Sequence, residues 1–142
     1  MTTAADRIAG GCLCGAVRFE VDPPFLRAGH CHCSRCRRHS GAGFLTQGRV
    51  RREDFRLIRG GELVRAFRPA PGAAVKAFCS VCGSSLFGGD WPDGPEVSIR
   101  FGAIDGDPGI RPQYHTHVGS KARWDEIHDD LPQHEGPLPE AK

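Results

Sequence analysis

Cys12-Leu13-Cys14-Gly15 and Cys79-Ser80-Val81-Cys82-Gly83 are two short chelates separated by 65 residues, from Cys14 to Cys79. In an extended backbone, side chains at i and i+2 share a face, so Cys12 and Cys14 can grip one ion from a strand end. A Cys-x-x-Cys pair grips an ion from a tight turn. Gly15 and Gly83, directly after each pair, can take positive φ as the chain turns away. Four thiolates complete a closed tetrahedral zinc site of the structural kind. One ion bound there would clamp the start of the domain to its middle. A redox dithiol at Cys79/Cys82 would need a helix N-terminus or a Rossmann-like setting, and the flanking sequence offers neither.

The other three cysteines fall in Cys31-His32-Cys33-Ser34-Arg35-Cys36. Strand spacing supplies two thiolates on one face and a helical turn the third. No fourth cysteine is left, and the nearby closers are His30, His32 and His39. Alternation points His32 away, and His30 lies too close in the chain to bite easily. His39, at i+3 from Cys36, is sterically possible and would give a closed Cys₃His site. Structural zinc takes four protein ligands and catalytic zinc three, so four plus three favours one structural ion and one open ion. Zinc in an open thiolate site stabilises thiolate over thiol, which suits making or breaking a carbon–sulfur bond. Arg35, Arg37 and Arg38 could bind the carboxylates of an acidic thiol such as glutathione, with Arg37, next to Cys36, the favoured contact. The competing reading for at least two of them is a solvated surface turn.

Composition sets the bounds. A chain of 142 residues fits one domain, taken as residues 8–136 with tails at 1–7 and 137–142. Apolar residues make up 39%, and 19 Gly with 11 Pro imply many turns, so metal cross-links would add stability that packing lacks. No apolar run is long enough for a membrane span. The opening Met1–Arg7 has no apolar signal core, so a reducing, cytoplasmic location is expected, where clustered cysteines more often bind metal than form disulfides. Seven thiolates holding two Zn²⁺ would turn the formal +2 into −1, so no real basicity remains. The preponderance of Arg over Lys is read as compositional bias. No block of like charges suggests nucleic acid or membrane as a partner, and nucleotide-hydrolysing, serine-hydrolase and common metalloprotease motifs are missing.

Turn signals predict strands over Ala16–Val21, Gly43–Val50, Phe55–Ile58, Leu63–Arg68, Val75–Phe78, Ser85–Phe87, Val97–Gly102 and Arg111–Val118. Two helical pieces are expected, Ser34–His39 capped by Ser34 and a weak one over Ala122–Ile127. Trp91 and Trp124 are read as packing residues. His115 and His117 would share a strand face, but a third metal would need a further His or carboxylate that spacing does not identify. Residues from Gly136 onward should be loosely ordered.

The stretches GGCLCGAVRFE, GHCHCSRCRRHSGAGF, FCSVCGSSLF and HVGSKARWDEIHDDLPQHEG together resemble the glutathione-dependent formaldehyde-activating enzyme family, which includes centromere protein V. The resemblance covers most of the chain. It implies a mainly β fold, the β-tent zinc-binding arrangement of antiparallel sheets with short helical turns. It also implies structural zinc on Cys12, Cys14, Cys79 and Cys82 and catalytic zinc on Cys31, Cys33 and Cys36. The implied activity is a carbon–sulfur lyase-type reaction joining glutathione and formaldehyde into S-(hydroxymethyl)glutathione. A non-catalytic zinc-binding interaction module is the alternative.

Overall fold

A computed structural model describes residues 6–139 of the chain; the ends of both expected tails, 1–5 and 140–142, lie outside the described residues. Among the described residues, ten strands, one short α-helix and a few single-turn 3-10 helices form a mainly β architecture. In chain order these are β1 (Ile8–Gly11), β2 (Arg18–Val21), β3 (Arg27–Cys31), α1 (Ser34–Ser40), β4 (Leu45–Arg51), β5 (Phe55–Arg59), β6 (Val64–Phe67), β7 (Val75–Cys79), β8 (Ser85–Gly89), β9 (Glu96–Arg100) and β10 (His115–Thr116). A small sheet runs β1-β2-β5 and a large one β10-β3-β4-β9-β8-β7-β6. Every pairing is antiparallel except β10 with β3.

The core lies between the sheets. Alternation in Arg18-Phe19-Glu20-Val21 buries Phe19 and Val21, and these meet Val50, Leu86, Phe87, Val97 and Ile99 of the large sheet. Phe87 is the hub, with ring centroids 4.9 Å from Phe55, 6.3 Å from Phe19 and 5.0 Å from Trp91. Tilted and edge-on geometries at these distances suit the aromatic quadrupoles. Trp91 therefore packs as expected. Trp124 does not: it is largely exposed and only its ring edge approaches Gly43.

Several expectations need correcting. β1 and β3 were not foreseen, because Ala and Gly in Ile8-Ala9-Gly10-Gly11 and Arg27-Ala28-Gly29-His30-Cys31 weaken the strand signal. Pairing overrides that propensity: β3 is held by β4 on one side and β10 on the other. Gly29 is needed there, since a Cβ would run into the Tyr114 ring. The expected strand Arg111–Val118 shrinks to His115–Thr116, preceded by proline-bearing coil and ended by His117 at φ 55. That left-handed residue breaks the alternation that would have put His115 and His117 on one face. The helix expected over Ala122–Ile127 does not form; Lys121 Nζ instead bonds the carbonyls of Ala122 and Asp125. α1 forms, but its N-cap is Cys33 rather than Ser34. Backbone bonds from His134 to His115 and from Val118 to His134 lay the 132–136 segment along β10.

Phe87→Ala should destabilise the protein by about 3–5 kcal/mol, since it removes a fully buried ring contacting three aromatic neighbours. Denaturant melts measure this, and a loss below about 1 kcal/mol would contradict the placing of the core at Phe87.

Candidate metal centres and the cavity between them

Cys12 and Cys14 sit in a turn after β1, not on an extended strand end, and Cys79 and Cys82 in the turn between β7 and β8. Both turns close through the glycines. Gly15 N donates to Cys12 O at 3.1 Å and Gly83 N to Cys79 O at 2.8 Å, each glycine having φ 80. The four sulfur atoms lie within 4.8 Å of one another. Cys12 Sγ is 3.6 Å from Cys14 Sγ, and Cys14 Sγ is 3.9 Å from Cys79 Sγ. A disulfide would need about 2.05 Å. A tetrahedron of sulfurs around zinc at about 2.3 Å has edges of about 3.75 Å, so this donor set fits the ion. The Ser84 hydroxyl and the Cys14 and Ser84 amides pull Cys82 down to about 5, well into thiolate territory.

The second cluster is assembled as spacing suggested. Cys31 ends β3, Cys33 caps α1 with extended φ and ψ, and Cys36 lies in the first helical turn with its N–H on Cys33 Sγ at 3.3 Å. These three sulfurs also lie within 4.8 Å of one another. Bonds from the Cys31 and Cys36 thiols, then the Cys36 amide and nearby Lys76, hold Cys33 far below an ordinary thiol. Among the described residues no further His, Cys, Asp or Glu joins this group. His32 faces away, buried, with Nε2 2.8 Å from His115 Nδ1. His39 Nδ1 is taken by the Ser85 hydroxyl at 2.8 Å, and burial, reinforced by Arg100 and Lys76, lowers it to about 4. His30 Nδ1 is taken by Thr46 Oγ1 at 2.8 Å.

A cavity of about 740 Å³ opens on the three cysteines. Among the described residues its lining carries five cations, Arg27, Arg35, Arg49, Lys76 and Arg100, and no carboxylate. Arg27 is satisfied from outside by Glu96 at 2.6 Å. Lys76 is buried and donates to Cys36 Sγ at 3.1 Å. Arg100 is only 4% exposed; Nη1 donates to Ser98 Oγ at 3.0 Å and Nε to Ser85 Oγ at 3.3 Å, while Nη2 has no partner. Burial lowers its guanidinium to about 10, opposed by the Cys36 thiolate, so the group stays charged at neutral pH. A buried cation in the wall of the cavity favours an anion there.

Sequence reasoning missed Lys76 and Arg100, because one basic residue in an alternating strand reads as solvent-facing. Of the three arginines it named, only Arg35 lines the cavity. Arg37 instead directs Nε to the His32 carbonyl at 3.3 Å, bracing the cysteine loop. Pro137, Leu138 and Pro139, expected to be loose, form part of the cavity wall.

Comparison with known proteins adds a family. The profile described as glutathione-dependent formaldehyde-activating enzyme matches residues 7–120. A Halomonas elongata protein provisionally named as a glutathione-dependent formaldehyde-activating enzyme is 33% identical over 129 residues, covering 84% of this chain and 80% of that relative. A crystal structure of a Rhodobacter sphaeroides protein superposes with a TM-score of 0.60 at 25% identity, covering 88% of this chain and 98% of that one.

Cys79→Ser should unfold much of the protein, because it breaks a four-sulfur centre joining the turn after β1 to the turn after β7. Metal bound by such a set contributes on the order of 10 kcal/mol to folding in small zinc peptides. Thermal melts with metal analysis test this; a variant melting within a few degrees of wild type removes the structural role.

Proposed function

Because the chain belongs to the glutathione-dependent formaldehyde-activating enzyme family, we propose that its three-cysteine cavity joins a small acidic thiol to an aldehyde, in the first instance glutathione to formaldehyde. The sulfur forms a bond to the carbonyl carbon. The carbonyl π pair moves to oxygen, which takes the proton given up by the thiol, and the product is S-(hydroxymethyl)glutathione. Run backwards, the step is a carbon–sulfur cleavage of the lyase type. Zinc held by Cys31, Cys33 and Cys36 would supply thiolate stabilisation and Lewis acidity, and a second zinc on Cys12, Cys14, Cys79 and Cys82 would hold the fold.

The remaining work belongs to the protein. Arg35 at the mouth and Arg100 in the buried wall attract and orient carboxylates. This moves the substrate contact expected at Arg37 to residues that line the cavity, and leaves Arg37 to support the loop. Lys76 balances thiolate charge at Cys36. Tyr114, Thr116 and Ser120 provide hydroxyls in the lining for a developing alkoxide. Seven reduced cysteines suit a reducing compartment such as the cytoplasm, and no helix among the described residues is long and apolar enough to cross a membrane.

The observation that carries this reading is a cysteine-floored cavity whose described lining has five cations and no carboxylate. A neutral interaction module has no need of a buried, underbonded arginine.

Calorimetric titration of the metal-loaded protein should show glutathione binding more tightly than neutral 2-mercaptoethanol. Arg35→Gln should weaken glutathione by about 1–3 kcal/mol and leave 2-mercaptoethanol unchanged, whereas Arg37→Gln should weaken both alike. Absence of thiol binding by the wild type would reverse the proposal in favour of a non-catalytic zinc module.

Cys33→Ser should lose one metal equivalent and all adduct formation while keeping the fold, since its three ligands span only six residues. Circular dichroism with metal analysis separates this from the Cys79→Ser outcome. Collapse of both variants alike would make both centres structural.

A further inference from the structure

Away from the cysteines, three side chains that the proposed reaction does not use converge on one point. His30 is the penultimate residue of β3, next to Cys31, His115 starts β10, and Asp129 comes from the segment that follows. One ring nitrogen of each histidine and one Asp129 oxygen lie within 4.8 Å of one another. The parallel pairing that sets His115 opposite His30 brings the two rings together, with centroids 4.8 Å apart. Their outer nitrogens are already engaged. His30 Nδ1 meets Thr46 Oγ1 at 2.8 Å, and His115 Nδ1 meets His32 Nε2 at 2.8 Å. That leaves Nε2 of each ring for a ligand. His115 Nε2 faces both oxygens of Asp129 at 3.0 Å.

This is the usual layout of metal-binding histidines, whose second nitrogen donates to an acceptor that fixes tautomer and ring orientation. A neutral imidazole has one N–H. If His115 gives it to His32, a bare lone pair confronts a carboxylate, and that gap needs a cation. The Phe44 ring, 4.6 Å from His30 and 5.2 Å from His32, screens the cluster on one side. His115 is 2% exposed, while Asp129 is half open to solvent and leaves an entry path.

We propose that His30, His115 and Asp129 form a third, sulfur-free binding site for a divalent first-row transition ion. Two imidazoles and one carboxylate are a borderline donor set, suited to zinc, cobalt or ferrous iron and poorly suited to calcium or magnesium. The ion fastens β10 and the segment around Asp129 to the strand that ends at Cys31. The site is independent of the cysteine chemistry and of the substrate.

The test starts from wild-type protein with its cysteine centres filled with zinc, titrated with Co²⁺. One further equivalent should bind, giving weak visible bands without the near-ultraviolet charge-transfer absorption of cobalt thiolates. The 118–135 segment should gain protection from hydrogen exchange as it fills. Asp129→Ala, a partly exposed position, and His30→Gln should each weaken this equivalent by at least roughly tenfold, and Thr46→Val should weaken it without abolishing it. Cys33→Ser should keep the sulfur-free equivalent while losing thiol binding, so the two proposals fail separately. Cobalt uptake showing only thiolate absorption, or identical in wild type and Asp129→Ala, would overturn the site.

Discussion

Four sulfur atoms within 4.8 Å of one another join the turn after β1 to the turn between β7 and β8. The 3.6 and 3.9 Å separations exclude a disulfide and match the edges of a four-sulfur metal site. Their position matters because β1 belongs to the small sheet and β7 and β8 to the large one. The four sulfurs therefore bridge the two sheets at one end, and the aromatic hub at Phe87 fills the space between them. Everything at the cavity follows, since β3, β4, β7 and β9 supply its walls from the same large sheet.

The cavity inverts the usual treatment of buried charge. Lys76 and Arg100 are both buried without a carboxylate partner, and isolated burial of that kind is costly. Lys76 is offset by the Cys36 sulfur. Arg100 is only partly offset, by serine hydroxyls and the Gln47 carbonyl, so its charge is held at the expense of stability. Such local expense is typical where function, not folding, sets the residue.

Local features were legible in sequence and long-range ones were not. The two chelates could be paired, and α1 located, because metal spacing and capping act over a few residues. Most strands announced themselves through Val, Ile and Phe alternation. β3 did not, because its Ala28 and Gly29 carry no propensity; only its neighbours and the Tyr114 ring explain it. His115 and His117 were expected to share a strand face, and His117 does not. The left-handed turn at His117 and the pairing of β10 with β3 are tertiary facts, and they deliver His30 and Asp129 instead. Lys76 and Arg100 were invisible for the same reason: which face of a strand is covered depends on what later packs over it.

Parallel pairing of β10 with β3 joins residues about 85 positions apart, and the wall at Pro137–Pro139 lies later still. On the ribosome, Cys31, Cys33 and Cys36 are made roughly 100 residues ahead of that wall, a delay on the order of ten seconds at the usual 5–20 residues per second. Throughout that interval the thiols have no roof. Capture of an ion, and attack by any oxidant, both have their freest access in the nascent chain, and β10 together with Pro137–Pro139 ends that access by walling the loop.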